Sequence, residues 1–404
     1  MPTFKYKVQD TTGALEEGEV VSKDRYVLAQ DLRKEGKTII SVEEVKLGEI
    51  DISKYLSFLA RVSLQEKILF TRNLSAMIEA GLPIARALGV LERQSKNPKF
   101  KEVLRGISAD ITKGTPLSDS LEKSPKIFSG LMVSMVRVGE ETGKLAQSLS
   151  VIGEQLEKSY TLRKKIKGAM MYPTIVISVM IVIGILMMMY VVPTLTETFK
   201  DMDVELPMST QIVILISDTL AAHSLLVLFG MIFFIVGLVL FGRTTSGQHT
   251  FDFIALNFPV IGTIAKEYNT AMTARTLASL LSSGVNVVEA LSITEGVIQN
   301  HYYRDVLQAA GEQVQKGSNI SQAFTEHEKL YPPLAAEMTE VGEETGQLAG
   351  MLSRVADFYE SEVDTKTKDL TTIIEPVLMV VIGAAVGFFA LSMITPMYSL
   401  TSTL

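Results

Sequence analysis

The chain has 404 residues, 47% hydrophobic and 21% charged, with a mean hydropathy of +0.27 and a net charge of -7. An average this apolar, beside 38 basic and 45 acidic side chains, predicts soluble domains joined to a few membrane spans. The lack of Cys excludes disulfides, iron–sulfur clusters and thiol nucleophiles; 4 His leave little for a His-rich metal centre, and the acidic balance argues against nucleic-acid binding.

The chain opens on Met1–Asp10, which alternates and carries charge, with no apolar segment of the secretory kind. Phe4, Tyr6 and Val8 alternate as in a strand, and Thr11, Thr12 and Gly13 form a turn. Glu19–Val21 reads as a second strand. Ser22 can cap a helix that Gly36 ends, and Thr38–Val45 is a strand again. Residues 1–46 are therefore expected as a small ββαβ module, with 47–62 as a charged linker.

Six helices follow over 63–171. Ser63 and Glu66 have the spacing of a capping box. Leu64, Ile68, Phe70, Leu74, Met77 and Ile78 line the apolar side of the first helix, and Gly81 stops it. Pro83 opens the second helix. Asn97 with Pro98, and Thr115 with Pro116, read as helix starts of the cap-then-proline kind. Pro125 precedes a fifth helix, and a sixth runs through Leu145, Leu149, Ile152 and Leu156. Short connections between such helices predict a bundle.

Three uncharged apolar runs lie further on: Thr174–Val192, Leu225–Phe241 and Val377–Ile394. Each approaches the roughly 20 residues that cross a hydrocarbon core. Pro173 and Pro193 bracket the first, and Pro376 and Pro396 the third. Transmembrane helices are expected over 172–193, 222–242 and 375–397. The loop 194–221 between the first two holds an amphipathic stretch, Gln211–Leu220, that blurs the start of the second span. Residues 243–265 read as a linker, 266–374 as a second bundle and 398–404 as a tail. Arg163, Lys164, Lys165 and Lys167 form a basic patch before the first span, whereas the following loop is acidic. This asymmetry predicts a cytoplasmic N-terminus and an external C-terminus, with the patch also meeting lipid headgroups. No Asp, Glu, Lys, Arg or His lies inside any run, which argues against a transporter.

One internal repeat organises the chain. The string VGEETG occurs at Val138–Gly143 and again at Val341–Gly346, an offset of 203. The same offset pairs Arg72 with Arg275, Gly81 with Gly284, Met135 with Met338, Pro173 with Pro376 and Pro193 with Pro396. About 30 of roughly 120 aligned positions are identical without a gap. The protein is read as one unit, a bundle followed by a span, written twice. The remaining span returns the chain to the cytoplasm.

The repeated string supplies the candidate site residues: Gly139, Glu140, Glu141, Thr142 and Gly143, then Gly342, Glu343, Glu344, Thr345 and Gly346. It does not have Walker spacing, and no strand precedes it. Three readings stay open. It can be a tight helix corner, in which the glycines take positive φ and Thr142 or Thr345 caps the next helix. Its paired carboxylates can meet a basic partner. They can also hold a hard divalent cation. The four His show no metal-binding or catalytic spacing, and no catalytic residue, cofactor or metal ligand is expected.

The combined pattern resembles the GspF/PilC family, the inner-membrane platform proteins of type II secretion and type IV pilus machines. Leu69–Leu88, Val138–Ala146, Lys164–Val176, Thr273–Leu291, Val341–Ala349 and Glu375–Gly383 carry the resemblance. It implies a mainly α polytopic membrane protein: three transmembrane helices, two repeated cytoplasmic six-helix bundles and the ββαβ module. It also implies a platform without enzymatic activity that couples a hexameric cytoplasmic ATPase to insertion or removal of pilin or pseudopilin subunits. Inner-membrane alignment proteins, membrane lipids and further copies of the chain are the other implied partners. Pilus assembly is the first expectation and type II secretion the second.

Overall fold

The computed structural model describes residues 3–9, 15–22, 24, 28–29, 38–45, 61–201, 207–259 and 261–403. It divides into two compact units, residues 1–61 with 96–101, and residues 62–95 with 102–404.

In the first unit, β1 (Thr3–Gln9), β2 (Leu15–Val21) and β3 (Thr38–Val45) form an antiparallel sheet of order β2-β1-β3. The register pairs Tyr6 with Gly18 on one side and with Val42 on the other. Val8 and Leu28 are buried. Leu28 and Ala29 are helical; the rest of the helix expected between Ser22 and Gly36, apart from Asp24, lies outside the described residues, as does most of the expected linker.

The second unit is helical. Its first copy runs α1 (Leu64–Glu79), α2 (Ile84–Gln94), α3 (Pro98–Thr112, of which residues 98–101 belong to the first unit), α4 (Leu117–Glu122), α5 (Gly130–Glu141) and α6 (Leu145–Leu186). The Ser63 capping box forms, with Ser63 N donating to Glu66 Oε2 at 2.7 Å and Glu66 N donating to Ser63 Oγ at 3.2 Å. Asn97 caps α3 by accepting from Lys99 N. Leu74, Leu88, Leu104, Leu121, Met135, Leu149 and Ile152 are buried, the apolar stripe of each helix turned inward.

The second copy repeats the order as α11 (Ile261–Ser282), α12 (Val287–Val297), α13 (His301–Gln315), α14 (Ile320–Glu326), α15 (Pro333–Glu344) and α16 (Leu348–Thr403). Between the copies come α7 (Val192–Asp201), α8 (Met208–Ala222), α9 (Ser224–Phe241) and α10 (Thr245–Asn257). The stretch expected as a linker thus contains α10, capped by Thr244.

Among the described residues three helices are long and apolar enough to cross a membrane: Leu145–Thr198, Ser224–Phe241 and Leu348–Thr395. In the first and third, the last bundle helix and the span expected after it form one helix. The sixth helix of each bundle continues unbroken into the membrane. Pro173 and Pro376 lie inside α6 and α16 rather than at their ends. Proline is tolerated there because neighbouring turns and helices can satisfy the freed backbone group. Before Pro193 the chain forms a π-turn, Met187–Val191, where the register adjusts to the missing N–H.

The blurred start of the second span also resolves. Gln211–Leu220 falls in α8, which is separated from α9 at His223. Helix α8 packs across the ends of the first and third spans. Val192, Val213 and Met393 form a small core there. Thr210 Oγ1 donates to Ser392 O at 2.5 Å, and Ser217 Oγ to Met188 O at 2.6 Å.

Candidate functional site

The repeated string makes the same corner twice, and each residue has a physical task. Gly143 and Gly346 take φ of 70° and 67°. A side chain is strained there, so glycine turns the chain from α5 into α6 and from α15 into α16. Gly139 and Gly342 are needed for another reason. A Cβ on Gly342 would lie 2.9 Å from Leu348 Cα, and one on Gly139 would lie 2.6 Å from Ser148 Oγ. The two helices of each corner therefore touch backbone to backbone. Gly342→Ala is expected to force a backbone shift and cost about 1–3 kcal/mol, read as a lowered Tm by helix circular dichroism.

Glu140 is half-buried and reaches back to α4. Its Oε1 accepts from Leu117 N at 2.6 Å; its Oε2 accepts from Ser118 N at 2.9 Å and Ser118 Oγ at 2.6 Å. Glu343 repeats this on α14, accepting from Ile320 N at 2.6 Å, Ser321 N at 3.2 Å and Ser321 Oγ at 2.5 Å. Two expectations are corrected here. Pro116 stands at the N-cap and not at the first helical position, and neither α4 nor α14 has a side-chain cap from its own N-cap residue. A remote glutamate takes that place, because the first turn of a helix leaves N–H groups without partners. Thr142 and Thr345 do not cap the following helix. Each ends the preceding one, its hydroxyl donating to Val138 O or Val341 O at 2.7 Å.

Glu141 and Glu344, the second carboxylate of each pair, are exposed. Among the described residues no three His, Asp or Glu side chains converge in a metal-binding arrangement.

A second constellation lies in the second copy, beside the place where the copies meet. Arg275 is buried on α11 beside α16. Its Nε donates to Glu360 Oε1 at 2.9 Å, its Nη1 to Ser353 Oγ at 3.2 Å, and its Nη2 to Asp357 and Glu360. Burial opposes the charge, but Glu360 and Asp357 outweigh it and raise the guanidinium pKa. The first copy keeps the pair in reduced form, Arg72 Nη1 to Glu157 Oε2 at 2.9 Å, both exposed. Helix α6 lies against α11 and α16. Gln155 Nε2 donates to Thr276 Oγ1 at 3.2 Å inside this seam, and Leu162, Ile264, Val363 and Leu370 form its core.

The basic patch splits across the seam. Arg163 Nε donates to Tyr268 Oη at 2.8 Å, and Lys165 pairs with Asp364 at 2.8 Å. Lys164 and Lys167 are exposed. Residue types at single positions did not announce this seam. The constant offset did carry a signal, since it aligns Arg72 with Arg275 and Glu157 with Glu360.

Hydrogen bonds from Lys165 and then Lys368 hold the Asp364 carboxyl below its ordinary range. Its stabilising contribution is therefore present above the ordinary aspartate pKa and is lost as pH falls through the folded value. Asp364→Asn should flatten that part of the acid limb in a Tm-against-pH series.

Fold and site together define a class: a non-identical tandem of helical bundles, each driving one helix into a membrane through a glycine corner. The family model for type II secretion system protein F matches residues 70–193 and 273–396. A type IV pilus assembly protein PilC of Thermus thermophilus is 37% identical over 406 residues, covering 100% of this chain and 99% of that protein. PilC of Myxococcus xanthus is 31% identical, over 99% of this chain and 95% of that protein. A type II secretion system protein F of Vibrio cholerae is 28% identical, over 100% and 99%. The chain belongs to this family, and it is a protein of the inner membrane with the family domain in two copies.

Proposed function

We propose that the chain is the platform of a type IV pilus assembly machine and has no enzymatic activity of its own. In this reading the N-terminus and both bundles, residues 63–171 and 266–374, lie in the cytoplasm, and the C-terminus lies outside. The bundles engage a hexameric ATPase. The spans contact pilin subunits and inner-membrane alignment proteins, and several copies of the chain assemble together. The observation that carries the reading is the continuity of α6 and α16. A displacement of either bundle is carried into a span with no flexible joint between them. The exposed Glu141 and Glu344 are the proposed contacts for a basic partner surface, and Lys164 and Lys167 for lipid headgroups. Pilus assembly is favoured over secretion because the Thermus relative of that name stands at 37% identity, against 28% for the Vibrio secretion protein.

The test breaks the joint. A Gly-Gly-Gly insertion after Gly168 interrupts α6 between bundle and span. The full chain should still co-purify from membranes with the ATPase, while fibre assembly in a complemented deletion strain is lost. Wild-type fibres from the interrupted chain would reject mechanical transmission. Failure of the unaltered chain to co-purify with the ATPase would reject the partner.

A further inference from the structure

We propose that α10 is an interfacial membrane helix, lying on the lipid surface in the leaflet where α9 ends. Two opposed stripes support this. His249, Asp252 and Leu256, spaced i, i+3, i+7, face the second bundle. The His249 ring lies 4.3 Å from that of His301, and Asp252 Oδ2 accepts from His301 N at 2.9 Å. Leu256 is buried. Phe251 and Ile254, spaced i, i+3, lie on the opposite face, and Phe258 follows as the extended residue that ends the helix. They are 43%, 50% and 54% exposed. One side of the helix is thus committed to the protein, while Phe251 and Ile254 stand exposed on the other and Phe258 stands exposed at its end.

The lipid occupant follows from continuity with α9. That helix has 18 residues, about 27 Å of rise, so it nearly fills a hydrocarbon core and its end falls at the interface. Its Phe229, Phe233 and Phe234 are exposed, as lipid-facing residues are. Only Gly242, Arg243 and Thr244 separate it from α10, and the turn is fixed. Thr244 Oγ1 accepts from Gly247 N at 3.1 Å and donates to Phe241 O at 2.6 Å. A Cβ on Gly247 would lie 1.8 Å from Phe241 O. Phe251 meets Phe241, the last residue of α9, with ring centroids 6.3 Å apart. The apolar stripe of α10 is therefore an extension of the lipid-facing surface of α9. Arg243, exposed at the bend, sits at headgroup level.

The chain contains no Trp, so one introduced Trp is a sole emitter of its kind. Ile254→Trp and, separately, Phe258→Trp are placed in the full chain and reconstituted in vesicles with brominated lipids. Glu141→Trp is the water-exposed control, roughly 40 Å up α6 from the membrane by helix rise. The two α10 variants should emit at shorter wavelength than the control. Most of their emission should be lost to bromines about 5–10 Å deep, the depth reached by an interfacial helix, and little to aqueous acrylamide. Quenching by acrylamide alone would leave the stripe in water and overturn the proposal. Blue-shifted emission untouched by either quencher would place protein, such as a second copy, over the stripe and also overturn it.

Discussion

Arg275→Ala is expected to lower the Tm sharply, while Arg72→Ala at the equivalent place in the first copy leaves it nearly unchanged. The two arginines share their repeat position and their glutamate partner, and differ in surroundings. The Arg275 side chain is 8% exposed and Glu360 20%, whereas Arg72 and Glu157 are 59% and 50% exposed. Removing Arg275 leaves Glu360 shielded from water without its partner and opens a gap between α11 and α16. Truncating one member of a buried pair costs about 3–5 kcal/mol, and the exposure of Asp357 places this case at the lower end. An exposed pair such as Arg72 with Glu157 is worth about 0–1 kcal/mol. Helix circular dichroism melts of both variants in one detergent check this. Equal losses would mean that the seam does not bury the second pair in solution.

Glu140→Ala and Glu343→Ala should each destabilise by about 1–3 kcal/mol, while Glu141→Ala and Glu344→Ala leave stability within about 0.5 kcal/mol. Glu140 and Glu343 each accept three hydrogen bonds from a short helix that has no other side-chain cap. Without them, two backbone N–H groups per helix lose a partner. Gln at either position keeps one oxygen but turns an N–H donor toward a backbone donor, so it should recover only part of the loss. The exposed glutamates give the complementary experiment. Co-purification with the ATPase that falls in Glu141→Ala or Glu344→Ala at unchanged Tm would locate the partner contact. Unchanged co-purification in both would leave the corner as structure alone.

Much of this fold was legible in the sequence because its signals are local or repeated. Capping residues such as Ser63 and Asn97 act within one helical turn, so spacing alone reveals them. Uncharged runs and basic flanks mark spans because lipid penalises every charge it meets. The 203-residue offset exposed the duplication. Helix ends were read less well where the partner is remote. Glu140 lies 23 residues beyond Leu117, and no local rule connects them. The prolines that bracket the apolar runs do not mark helix ends. Pro173 is tolerated inside α6 because the membrane and neighbouring helices leave the chain no better conformation.

Two bundles, three apolar spans and a glycine-and-carboxylate string repeated at fixed spacing are readable along the chain. Each of these follows from residue type, periodicity and self-similarity along the chain. That the copies are unequal comes from packing between distant helices. Helix α6 packs against α11 and α16, so the second copy has its arginine pair buried while the first keeps its own exposed. Identical residues then carry different energies, because the strength of a charge pair is set by the water around it and not by its place in the repeat.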